Sequence, residues 1–450
     1  MENRGSFGSK LAIILATAGS AIGLGNIWRF PFTTGQNGGA AFIIIYLVCV
    51  LLLGIPGMVS EFIVGRRAQT NAARAYAQLG RKEWRIVGYL GILTSTIILG
   101  FYAVVAGWCL HYLGASAIGH LKGDSSFVQN YFQTFSCDPV KPAALGVVFI
   151  LITHFIIIRG VRNGIERASK LLMPLLLILL LIIVIASCSL PGALKGIEFL
   201  LKPDFSKVSG KVCLEALGQA FFSLSLGTAC LCTYASYFSR QTKLLQSATQ
   251  IALIDFVIAL MSGLMIFPAA FSVGVQPDSG PSLIFITLPN VFQQAFSFMP
   301  VLGYVISIMF YALLVFAALT STISMHEIGT AFFHEELHNN RSTAAWVLTI
   351  VCSVIAVFCS LSVGKPDIQV WGRSLMDFCD YLTAQVMLPA GAMLTSILVG
   401  WFASKKMVRE EFTNWNTSNS RLFFNFYMFC VRYIVPTCIL LILMHQFGVI

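Results

Sequence analysis

Charged residues and catalytic motifs are scarce in this sequence. Asp, Glu, Lys and Arg make up only 11% of its 450 residues, whereas apolar residues make up 57%. No GxSxG string stands at the end of an apolar run, and no stretch is rich in histidine. The 12 cysteines lie mostly within apolar stretches and show no metal-ligand spacing. These absences argue against a membrane enzyme.

Long apolar runs dominate what is present. Many windows reach the roughly 20 apolar residues that cross a bilayer as a helix, and the first run lacks the cleavage site of a signal peptide. We therefore expect an all-α polytopic membrane protein embedded in the lipid bilayer. The pattern predicts eleven spans, numbered here in chain order: 10–33, 39–66, 85–118, 143–161, 166–190, 212–239, 246–273, 299–335, 344–363, 374–402 and 424–447.

The basic residues indicate an orientation rather than a nucleic-acid surface, although the formal net charge is +10. Most lie in short loops on one side, as Arg66, Arg67 and Arg74 are expected to do at the end of span 2, and such loops stay in the cytoplasm. Loop 195–211, which carries several lysines, is the exception. We expect a bacterial inner (plasma) membrane protein without a nucleic-acid partner. Its N-terminus is expected in the cytoplasm and, because the number of spans is odd, its C-terminus outside.

Span 1 is interrupted. In AIILATAGSAIGLGNIWRFPFT (12–33) three glycines fall within seven residues, and Asn26, Arg29 and Pro31 follow. Glycine admits close neighbours and proline lacks an N–H donor, so an unwound stretch must face protein or a water-filled cavity. Its carbonyls can bind a cation and its N–H groups an anion. A glycine-rich helix-packing face is the alternative, although packing needs neither the Asn nor the Arg.

Span 6 contains a second interruption. Ser223, Ser225, Gly227 and Thr228 break the apolar run AFFSLSLGTACLCTYASYFSR (220–240). Spans 1 and 6 each begin a group of five spans, and interrupted segments at matching positions are typical of inverted-repeat transporters with a site at the membrane centre. The two halves share no convincing residue-level identity, so the repeat is inferred from position.

Five motifs resemble one known family. GSAIGLGNIWRFP (19–31), NGGAAF (37–42), FFSLSLG (221–227), TYASY (233–237) and FAALTS (316–321) are similar to the neurotransmitter:sodium symporter family, and the resemblance runs from Arg4 to span 10. It implies a LeuT-type fold with five-plus-five inverted repeats and broken helices 1 and 6, as in the bacterial, eleven-helix amino-acid transporter branch. It also implies sodium-driven uptake of an amino acid by alternating access.

The resemblance also implies a domain organisation. Residues 1–450 are expected to form a single transmembrane transporter domain. Its first repeat is expected at about 10–190 and its second at about 212–402, with an additional helix at about 424–447.

Span 8 carries a predicted sodium site, here called the second sodium site. Ala317, Thr320 and Ser321 share one helix face because they are three and four residues apart. The hydroxyls of Thr320 and Ser321 either supply uncharged oxygen ligands or bond back to their own helix. The resemblance implies the first role, with carbonyls of Gly19, Ile22 and Ala317 and hydroxyls of Thr320 and Ser321 as ligands.

The first sodium site is implied by the resemblance. Its ligands are the Ala21 carbonyl, the Asn26 and Ser223 side chains, Asp255 and the substrate carboxylate. Most relatives carry Asn at the position of Asp255. A carboxylate at bilayer depth costs about 2.5–3.5 kcal/mol, so it needs a cation or a proton. A bound sodium is one solution, and a protonated, structural Asp is the other.

Asp255 also predicts that chloride is not required. Relatives that need chloride hold it near this sodium, and Ala259 stands where they typically have a serine ligand. A fixed carboxylate beside the sodium can balance its charge instead. The expected ion requirement is therefore Na+ at two sites and no chloride. A related hypothesis is that Asp255 takes up a proton when the empty carrier returns, which gives proton antiport.

The substrate site is expected at the two interruptions. N–H groups at the half-helix end of span 1 can hold a carboxylate, together with the first sodium and the Tyr102 hydroxyl, while nearby carbonyls can hold the amine. A tyrosine in an apolar span is otherwise a packing residue. The expected substrate-binding residues are Ser20, Ala21, Gly23, Leu24, Gly25, Ile98, Tyr102, Phe222, Ser223, Ser225, Thr228, Ser321 and Met325.

The pocket departs from the family prototype at three positions. Thr228 and Ala229 stand where the prototype has a larger aromatic residue and a glycine, and Ser20 replaces an Asn. The pocket is therefore expected to be roomier near Thr228 and slightly polar. We interpret this as a preference for a bulky hydrophobic or aromatic amino acid.

Two gates follow from the resemblance. Arg29 with Asp380 is expected to form an external ion pair, and Arg4 with Glu335 an internal one, around which Tyr237 packs with Phe7. Exposed pairs are worth only about 0–1 kcal/mol, so they can form and break during a transport cycle.

Other buried polar residues are predicted to be structural. Glu61 is expected to bond the unwound backbone of spans 1 and 6. His326 and Glu327 are expected to make polar contacts between helices rather than a proton relay.

A membrane receptor of the same fold, which senses an amino acid without transporting it, is the alternative function. Its binding residues would be the same, and gate residues at both ends favour transport. The sequence leaves the oligomeric state open.

Overall fold

The computed structural model describes residues 6–121, 123, 125–274, 283–365, 368–415, 421–446 and 448. Arg4 and residues 275–282 of the loop between spans 7 and 8 therefore lie outside the described residues. The described chain is almost entirely helical. Its one small sheet pairs the antiparallel strands Gln369–Val370 and Arg373–Ser374, with Gln369 opposite Ser374.

The first half of the chain covers predicted spans 1 to 5 and the connections between them. Short π-helical stretches, in which the hydrogen bonds skip one residue more than in an α-helix, interrupt several spans. The helices are Lys10–Ala21, Gly25–Arg29, Phe30–Gln36, Ala40–Cys49, Val50–Gly54, Ile55–Ala68, Ala72–Leu79, Lys82–Trp84, Arg85–Ala117, Ser125–Ser136, Lys141–Ile157, Val161–Glu166, Arg167–Cys188, Ala193–Leu201 and Phe205–Lys207.

The second half covers predicted spans 6 to 11. Span 6 is two short helices, whereas spans 7, 8 and 9 are continuous α-helices. The helices are Gly210–Ser223, Cys230–Ala235, Leu244–Ser272, Leu283–Thr287, Leu288–Ala295, Pro300–Glu336, Arg341–Ser362, Leu375–Tyr381, Leu382–Met387, Leu388–Ile397, Leu398–Phe402, Lys405–Phe412, Arg421–Phe429, Cys430–Ile434 and Val435–Gln446.

The predicted spans agree with these helices to within a few residues. Among the described residues, eight helices are long and apolar enough to cross a membrane, or ten if each bent pair is one span. One bent pair is span 1, where Lys10–Ala21 and Gly25–Gln36 meet at 56°. The halves of span 6 are too short to pass that test separately, so the count of eleven stays a prediction.

Local sequence explains where the broken spans begin. The Ser9 hydroxyl accepts a hydrogen bond from the Ala12 N–H and caps span 1, and Ser209 caps span 6 in the same way through Val212. A serine before a helix satisfies an N–H group that has no partner within the helix. Both spans therefore start from defined positions, which fixes where their interruptions fall.

Span 1 lies inside the bundle. Its helix Lys10–Ala21 packs against spans 5, 7 and 8, while spans 3, 4, 8 and 9 pack closely against one another. Leucine and isoleucine side chains on the outer faces of span 5, such as Leu171 and Ile178, are exposed, as expected for a surface that meets lipid. The interruption in span 1 is thus buried in protein, the condition that an unwound backbone in a membrane requires.

Candidate functional site

The interruption of span 1 brings its backbone against spans 3 and 8. The first helix ends at Ala21, and Ile22 is extended with φ −80° and ψ 103°. A Cβ on Gly23 would lie 2.5 Å from Ser321 Oγ and 3.1 Å from the Tyr102 hydroxyl. Only glycine therefore fits this approach. The sequence prediction of a close-approach glycine, rather than a simple packing face, agrees with this geometry.

Several predicted substrate residues surround this break. The Leu24 N–H donates to the Tyr102 hydroxyl at 3.1 Å, and the Ser225 hydroxyl donates to the Ser20 carbonyl at 3.2 Å. A Cβ on Gly25 would lie 2.8 Å from the Phe222 ring. Spans 1, 3, 6 and 8 thus meet at one point.

The remaining pocket positions lie on the same faces. Ile98 is four residues before Tyr102 on span 3, and Met325 is four residues after Ser321 on span 8, so each shares a helix face with its neighbour. The Thr228 hydroxyl donates to the Ser225 carbonyl at 2.7 Å and is therefore held by the broken part of span 6. The side chains of Ile98, Thr228 and Met325 are buried or half-buried.

The interruption of span 6 is a left-handed turn. Ser225, Gly227 and Ala229 have φ of +54°, +81° and +59°, a conformation that costs a residue with a Cβ about 1–2 kcal/mol. A carboxylate oxygen of Glu61 accepts from the Gly227 N–H at 2.7 Å. Glu61 therefore supports the unwound backbone of span 6, whereas no hydrogen bond in the described structure joins its side chain to span 1.

Asp255 is the centre of a buried polar cluster. One of its oxygens accepts from Asn26 Nδ2 at 2.7 Å, and the other accepts from the Ser223 hydroxyl at 2.7 Å and the Tyr46 hydroxyl at 3.2 Å. Asn26 Oδ1 accepts from the Gly23 N–H at 3.4 Å. The predicted first-site side chains from spans 1, 6 and 7 are therefore in direct contact.

Tyr46 was missed by sequence reasoning. It is fully buried in span 2, where its ring stands 5.2 Å from that of Phe30. In sequence it is one more aromatic residue in an apolar run, and only its hydroxyl, aimed at Asp255, distinguishes it. Among the described residues no basic side chain lies within 4 Å of Asp255, so its three side-chain contacts are with neutral donors.

A second group of oxygens lies where span 8 meets the end of the first helix of span 1. The Thr320 hydroxyl is 3.0 Å from the Ala317 carbonyl and 3.4 Å from the Ile22 carbonyl, and the Ser321 hydroxyl is 3.5 Å from Ile22 O. The bond from Thr320 to Ala317 is the back-bonding that the alternative interpretation expects. The Ile22 carbonyl nevertheless comes from another span, and a Cβ on Gly19 would lie 3.4 Å from Thr320 Cβ.

Both groups fit a small alkali cation by their chemistry. Each consists of oxygen ligands, which hard cations prefer. The cluster at Asp255 contains one carboxylate without a side-chain cation nearby, and the cluster at Thr320 contains only neutral oxygens. A cation bound at the first would compensate the buried charge that the protein itself leaves unpaired.

The predicted outer gate, Arg29 with Asp380, does not form an ion pair in the described structure. The Arg29 guanidinium lies over the Phe222 ring, 4.3 Å from its centroid, and among the described residues Arg29 and Asp380 are not within 4 Å of each other. A cation–π contact therefore takes the place of the expected ion pair. A cavity of about 70 Å³ adjoins Arg29 and Phe222 and is also lined by Gln219 and Gln385.

The predicted inner gate is only partly within the described residues, because Arg4 is not among them. Glu335 accepts from the Thr70 hydroxyl at 2.7 Å and from the Asn71 N–H at 2.7 Å. The carboxylate is thus held at the end of span 2. Phe7 packs against Tyr237 with ring centroids 6.2 Å apart, whereas the packing of these two rings around Arg4 and Glu335 stays a prediction.

Tyr237 makes a contact that the sequence did not indicate. Its hydroxyl donates to Glu327 at 2.6 Å, and Arg341 forms a buried ion pair with the same carboxylate. His326, the neighbour of Glu327, contacts the Thr330 hydroxyl at 3.0 Å and the Thr349 hydroxyl at 2.9 Å. Glu327 and His326 therefore make polar contacts between and within helices.

One metalloprotease-like string escaped sequence reasoning. Residues 334–338 read HEELH, which matches the HExxH pattern that places two histidines on one helix face to bind zinc. The helix ends at Glu336, however, and His338 has φ +53°. His334 instead contacts the Asn339 carbonyl at 2.6 Å. No set of three or more His, Cys, Asp or Glu side chains in the described ranges is arranged to hold a metal ion.

Arg66 was counted among the orienting loop residues, and this assignment is wrong. Arg66 lies within the helix Ile55–Ala68 with its side chain 1% exposed, and it pairs with Glu411 at 2.7 Å. It also donates to Asn414 Oδ1 at 2.8 Å and to the Thr242 carbonyl. Arg66 is therefore a structural residue that joins three segments.

The chain is similar to known proteins over almost its whole length. A model of the Sodium:neurotransmitter symporter family matches residues 4–145 and 138–449. The chain is 38% identical over 445 residues to the uncharacterized sodium-dependent transporter YhdH of Bacillus subtilis (strain 168), covering 98% of this chain and 97% of that protein. It is 32% identical over 456 residues to an uncharacterized sodium-dependent transporter of Haemophilus influenzae, covering 98% of each.

A solved structure is also similar over the whole chain. The crystal structure of MhsT in complex with L-phenylalanine superposes with a TM-score of 0.90 at 37% sequence identity. The match covers 99% of this chain and 100% of MhsT. The LeuT-type fold expected from the sequence is therefore confirmed.

Proposed function

The chain belongs to the sodium:neurotransmitter symporter family, and from this premise we propose that it imports an amino acid by coupling its entry to sodium. The observation that carries the proposal is the pair of oxygen clusters at the break of span 1. Both clusters use the same unwound segment, so a ligand or cation bound to one affects the backbone that serves the other.

Two sodium ions are proposed, one at each cluster. At the first, Asp255, Ser223 and Asn26 supply side-chain oxygens, with the Ala21 carbonyl. At the second, Thr320 and Ser321 supply hydroxyls, and Gly19, Ile22 and Ala317 supply carbonyls. Bound sodium supplies positive charge, which stabilises the buried carboxylate and the freed carbonyls.

The amino acid is proposed to bind between the two clusters. Its carboxylate accepts from N–H groups at Gly23 to Gly25 and from the Tyr102 hydroxyl, which the contact from Leu24 already orients. Its side chain enters the space bounded by Ile98, Thr228 and Met325. Support for a bulky hydrophobic or aromatic substrate comes from the small Thr228 and from L-phenylalanine bound to MhsT.

Chloride is proposed to be unnecessary. The Asp255 carboxylate is buried and fixed by hydrogen bonds from three side chains, and Ala259, one helical turn along, has no hydroxyl with which to hold an anion. The carboxylate therefore balances the charge of the bound sodium directly, without a second ion.

Alternating access is proposed to act through Arg29 at one end of the site and Glu335 with Tyr237 at the other. The contact of Arg29 with Phe222 supports a gate at this end of the pocket, which we propose faces the outside of the cell. The proposed setting is the bacterial inner membrane, with the N-terminus in the cytoplasm and the C-terminus outside.

The test is uptake into proteoliposomes that contain the purified full-length protein. A panel of labelled amino acids is offered with an inward sodium gradient, and with potassium in place of sodium as the control. Sodium-dependent accumulation of bulky hydrophobic or aromatic amino acids is the expected result. Saturable sodium-dependent binding without accumulation would favour a sensing receptor, and absence of both binding and uptake would contradict the substrate class.

A further inference from the structure

Arg432 is a charged residue within span 11, ten residues after Leu422 in the helical segment Leu422–Gln446. Its Nε donates to the Gly400 carbonyl at 2.6 Å, in the last turn of span 10. Arginine within a membrane span is rare and costly unless its charge is compensated or reaches the interface. The guanidinium therefore needs a compensating partner, a position at the interface, or both.

The protein supplies that partner only in part. In the described part of the chain no carboxylate lies within 4 Å of the Arg432 guanidinium. The guanidinium carries five N–H donors, of which the Gly400 carbonyl takes one. Its carbon atom lies 5.5 Å from the Trp401 ring centroid, a cation–π contact that adds attraction without neutralising the charge.

Glycine at position 400 makes this approach geometrically feasible. A Cβ there would stand 3.1 Å from Arg432 Cγ and 3.4 Å from Arg432 Cα, which is tighter than ordinary contact. The side chain of Arg432 is therefore held against the end of span 10 by close packing as well as by the hydrogen bond.

Aromatic side chains indicate the depth of the Arg432 guanidinium in the bilayer. Trp401 is 55% exposed, and Tyr433 is 50% exposed with its ring 5.7 Å from that of Trp401. Trp84, at the start of span 3, contacts Phe402 with ring centroids 5.0 Å apart. Trp and Tyr concentrate at the level of lipid headgroups. The guanidinium thus stands at the headgroup level, at the end of the molecule where the basic loops lie.

Further positive charge follows immediately along the chain. Lys405 and Lys406 are exposed at the start of the helix Lys405–Phe412, three and four residues after Phe402. Glu410 lies on the same helix but forms no ion pair within 4 Å in the described structure. Juxtamembrane basic residues of this kind attract anionic lipid.

We propose that Arg432, Lys405 and Lys406 form a binding site for the phosphate group of an anionic membrane phospholipid in the leaflet beside the basic loops. Phosphate oxygens accept the parallel N–H donors of arginine in a bidentate manner. The phosphate charge compensates the guanidinium, and Trp401 and Tyr433 flank the glycerol region. The site is separate from the transport site and does not depend on the substrate.

The test is native mass spectrometry of the purified, delipidated full-length protein titrated with phosphatidylglycerol or phosphatidylcholine. The wild type is expected to bind phosphatidylglycerol more tightly. Arg432→Gln should weaken that binding about fivefold, the size expected for one basic residue at a membrane surface, while Arg432→Lys retains part of it. The control is Arg373→Gln, because Arg373 also lies over an aromatic ring, at 4.2 Å from the centroid of Tyr381, but at the opposite end of span 10.

A second variant tests the proposal independently in case Arg432→Gln fails to fold. Gly400→Ala keeps every charge but displaces Arg432, so it should also weaken phosphatidylglycerol binding while the protein stays monodisperse. Equal binding of phosphatidylglycerol by wild type and Arg432→Gln would overturn the proposal, as would equal affinity for the two lipids. Titration with inorganic phosphate separates the sources: binding of free phosphate that Arg432→Gln abolishes, without lipid preference, would assign the site to a soluble anion instead.

Discussion

At the scale of single residues, Asp255 has the largest consequence for function. It is fully buried, and the described side chains around it are neutral. A charge removed from water is tolerated when a counter-charge and hydrogen bonds accompany it. The hydrogen bonds are present in the described structure, so the remaining requirement is met either by the bound cation proposed above or by a proton on the carboxylate.

Asp255→Asn is therefore expected to weaken sodium binding roughly tenfold or more in chloride-free buffer, because one unit of negative charge beside the cation is lost. In the double variant Asp255→Asn, Ala259→Ser, chloride should recover part of that affinity. The measurement is sodium-dependent binding of labelled substrate in chloride and in gluconate. Ser262→Ala serves as the control, since the Ser262 hydroxyl bonds only its own helix at Ile258.

Unchanged sodium affinity in Asp255→Asn would show that the carboxylate is not part of the cation site. The same variant tests the proton-antiport hypothesis in sealed vesicles. If Asp255 carries a proton during the return of the empty carrier, the outward proton movement that accompanies uptake should stop in Asp255→Asn.

At the scale of elements, the interruptions of spans 1 and 6 depend on specific backbone positions. Gly227 has φ +81°, and a Cβ there would lie 2.2 Å from the Leu388 carbonyl of span 10. The Gly227 N–H is bonded to Glu61 of span 2. The break in span 6 is therefore held on two sides, by a carboxylate and by a neighbouring backbone.

Gly227→Ala should destabilise the protein by more than about 1–2 kcal/mol, because the left-handed backbone is unfavourable for alanine and its methyl group overlaps Leu388. The measurement is thermal unfolding of the purified protein in detergent, with sodium present. Gly218→Ala is the matched control in the first half of span 6. A Cβ there meets no atom within 4 Å, and alanine favours the helix. Equal melting temperatures for the two variants would contradict this account.

At the scale of the whole molecule, a buried ion pair joins distant segments. Arg66 of span 2 pairs with Glu411 of the helix after span 10, and it reaches the Thr242 carbonyl between spans 6 and 7. Asn414 completes the group by donating to the Arg240 carbonyl at 3.1 Å. Both charged side chains are 1% exposed. The loops at this end of the bundle are thus fixed to one another through a single guanidinium.

Arg66→Ala is expected to cost about 3–5 kcal/mol of stability, because it leaves Glu411 buried without its partner. Arg67→Ala is the neighbouring control. Arg67 is 42% exposed and stands 3.5 Å from the same carboxylate, so its loss should cost no more than about 1 kcal/mol. Thermal unfolding in detergent compares the two. Similar losses for both variants would mean that burial of the pair does not decide its contribution.

Much of the architecture was predictable because it depends on local sequence. Helix positions follow from apolar runs of membrane-spanning length, and the bend in span 1 follows from its glycines and Pro31. The partners of buried polar groups were less predictable. Arg66 was taken for a loop residue because a charge near the end of an apolar run usually faces water, whereas Glu411, which pairs with it, is 345 residues away along the chain.

The residues of the candidate site were likewise predictable only in part. Asn26, Ser223 and Asp255 were singled out as one site by the resemblance to the symporter family, and the structure brings their side chains together. Tyr46 carries no comparable signal, because a tyrosine in a membrane helix usually packs through its ring. The contact of Arg29 with Phe222, in place of an ion pair with Asp380, depends on how spans 1, 6 and 10 are positioned and is not encoded in any spacing.

The membrane-spanning helices, the two interruptions and the membership of a transporter family follow from the amino-acid sequence alone, since these depend on composition and contiguous motifs. The pairing of buried groups became known from the folded structure: Tyr46 with Asp255, Glu61 with Gly227, Tyr237 with Glu327, and Arg432 with Gly400. The physical reason is that burial obliges each polar group to find a partner, but a partner is chosen by the packing of whole helices rather than by neighbouring residues.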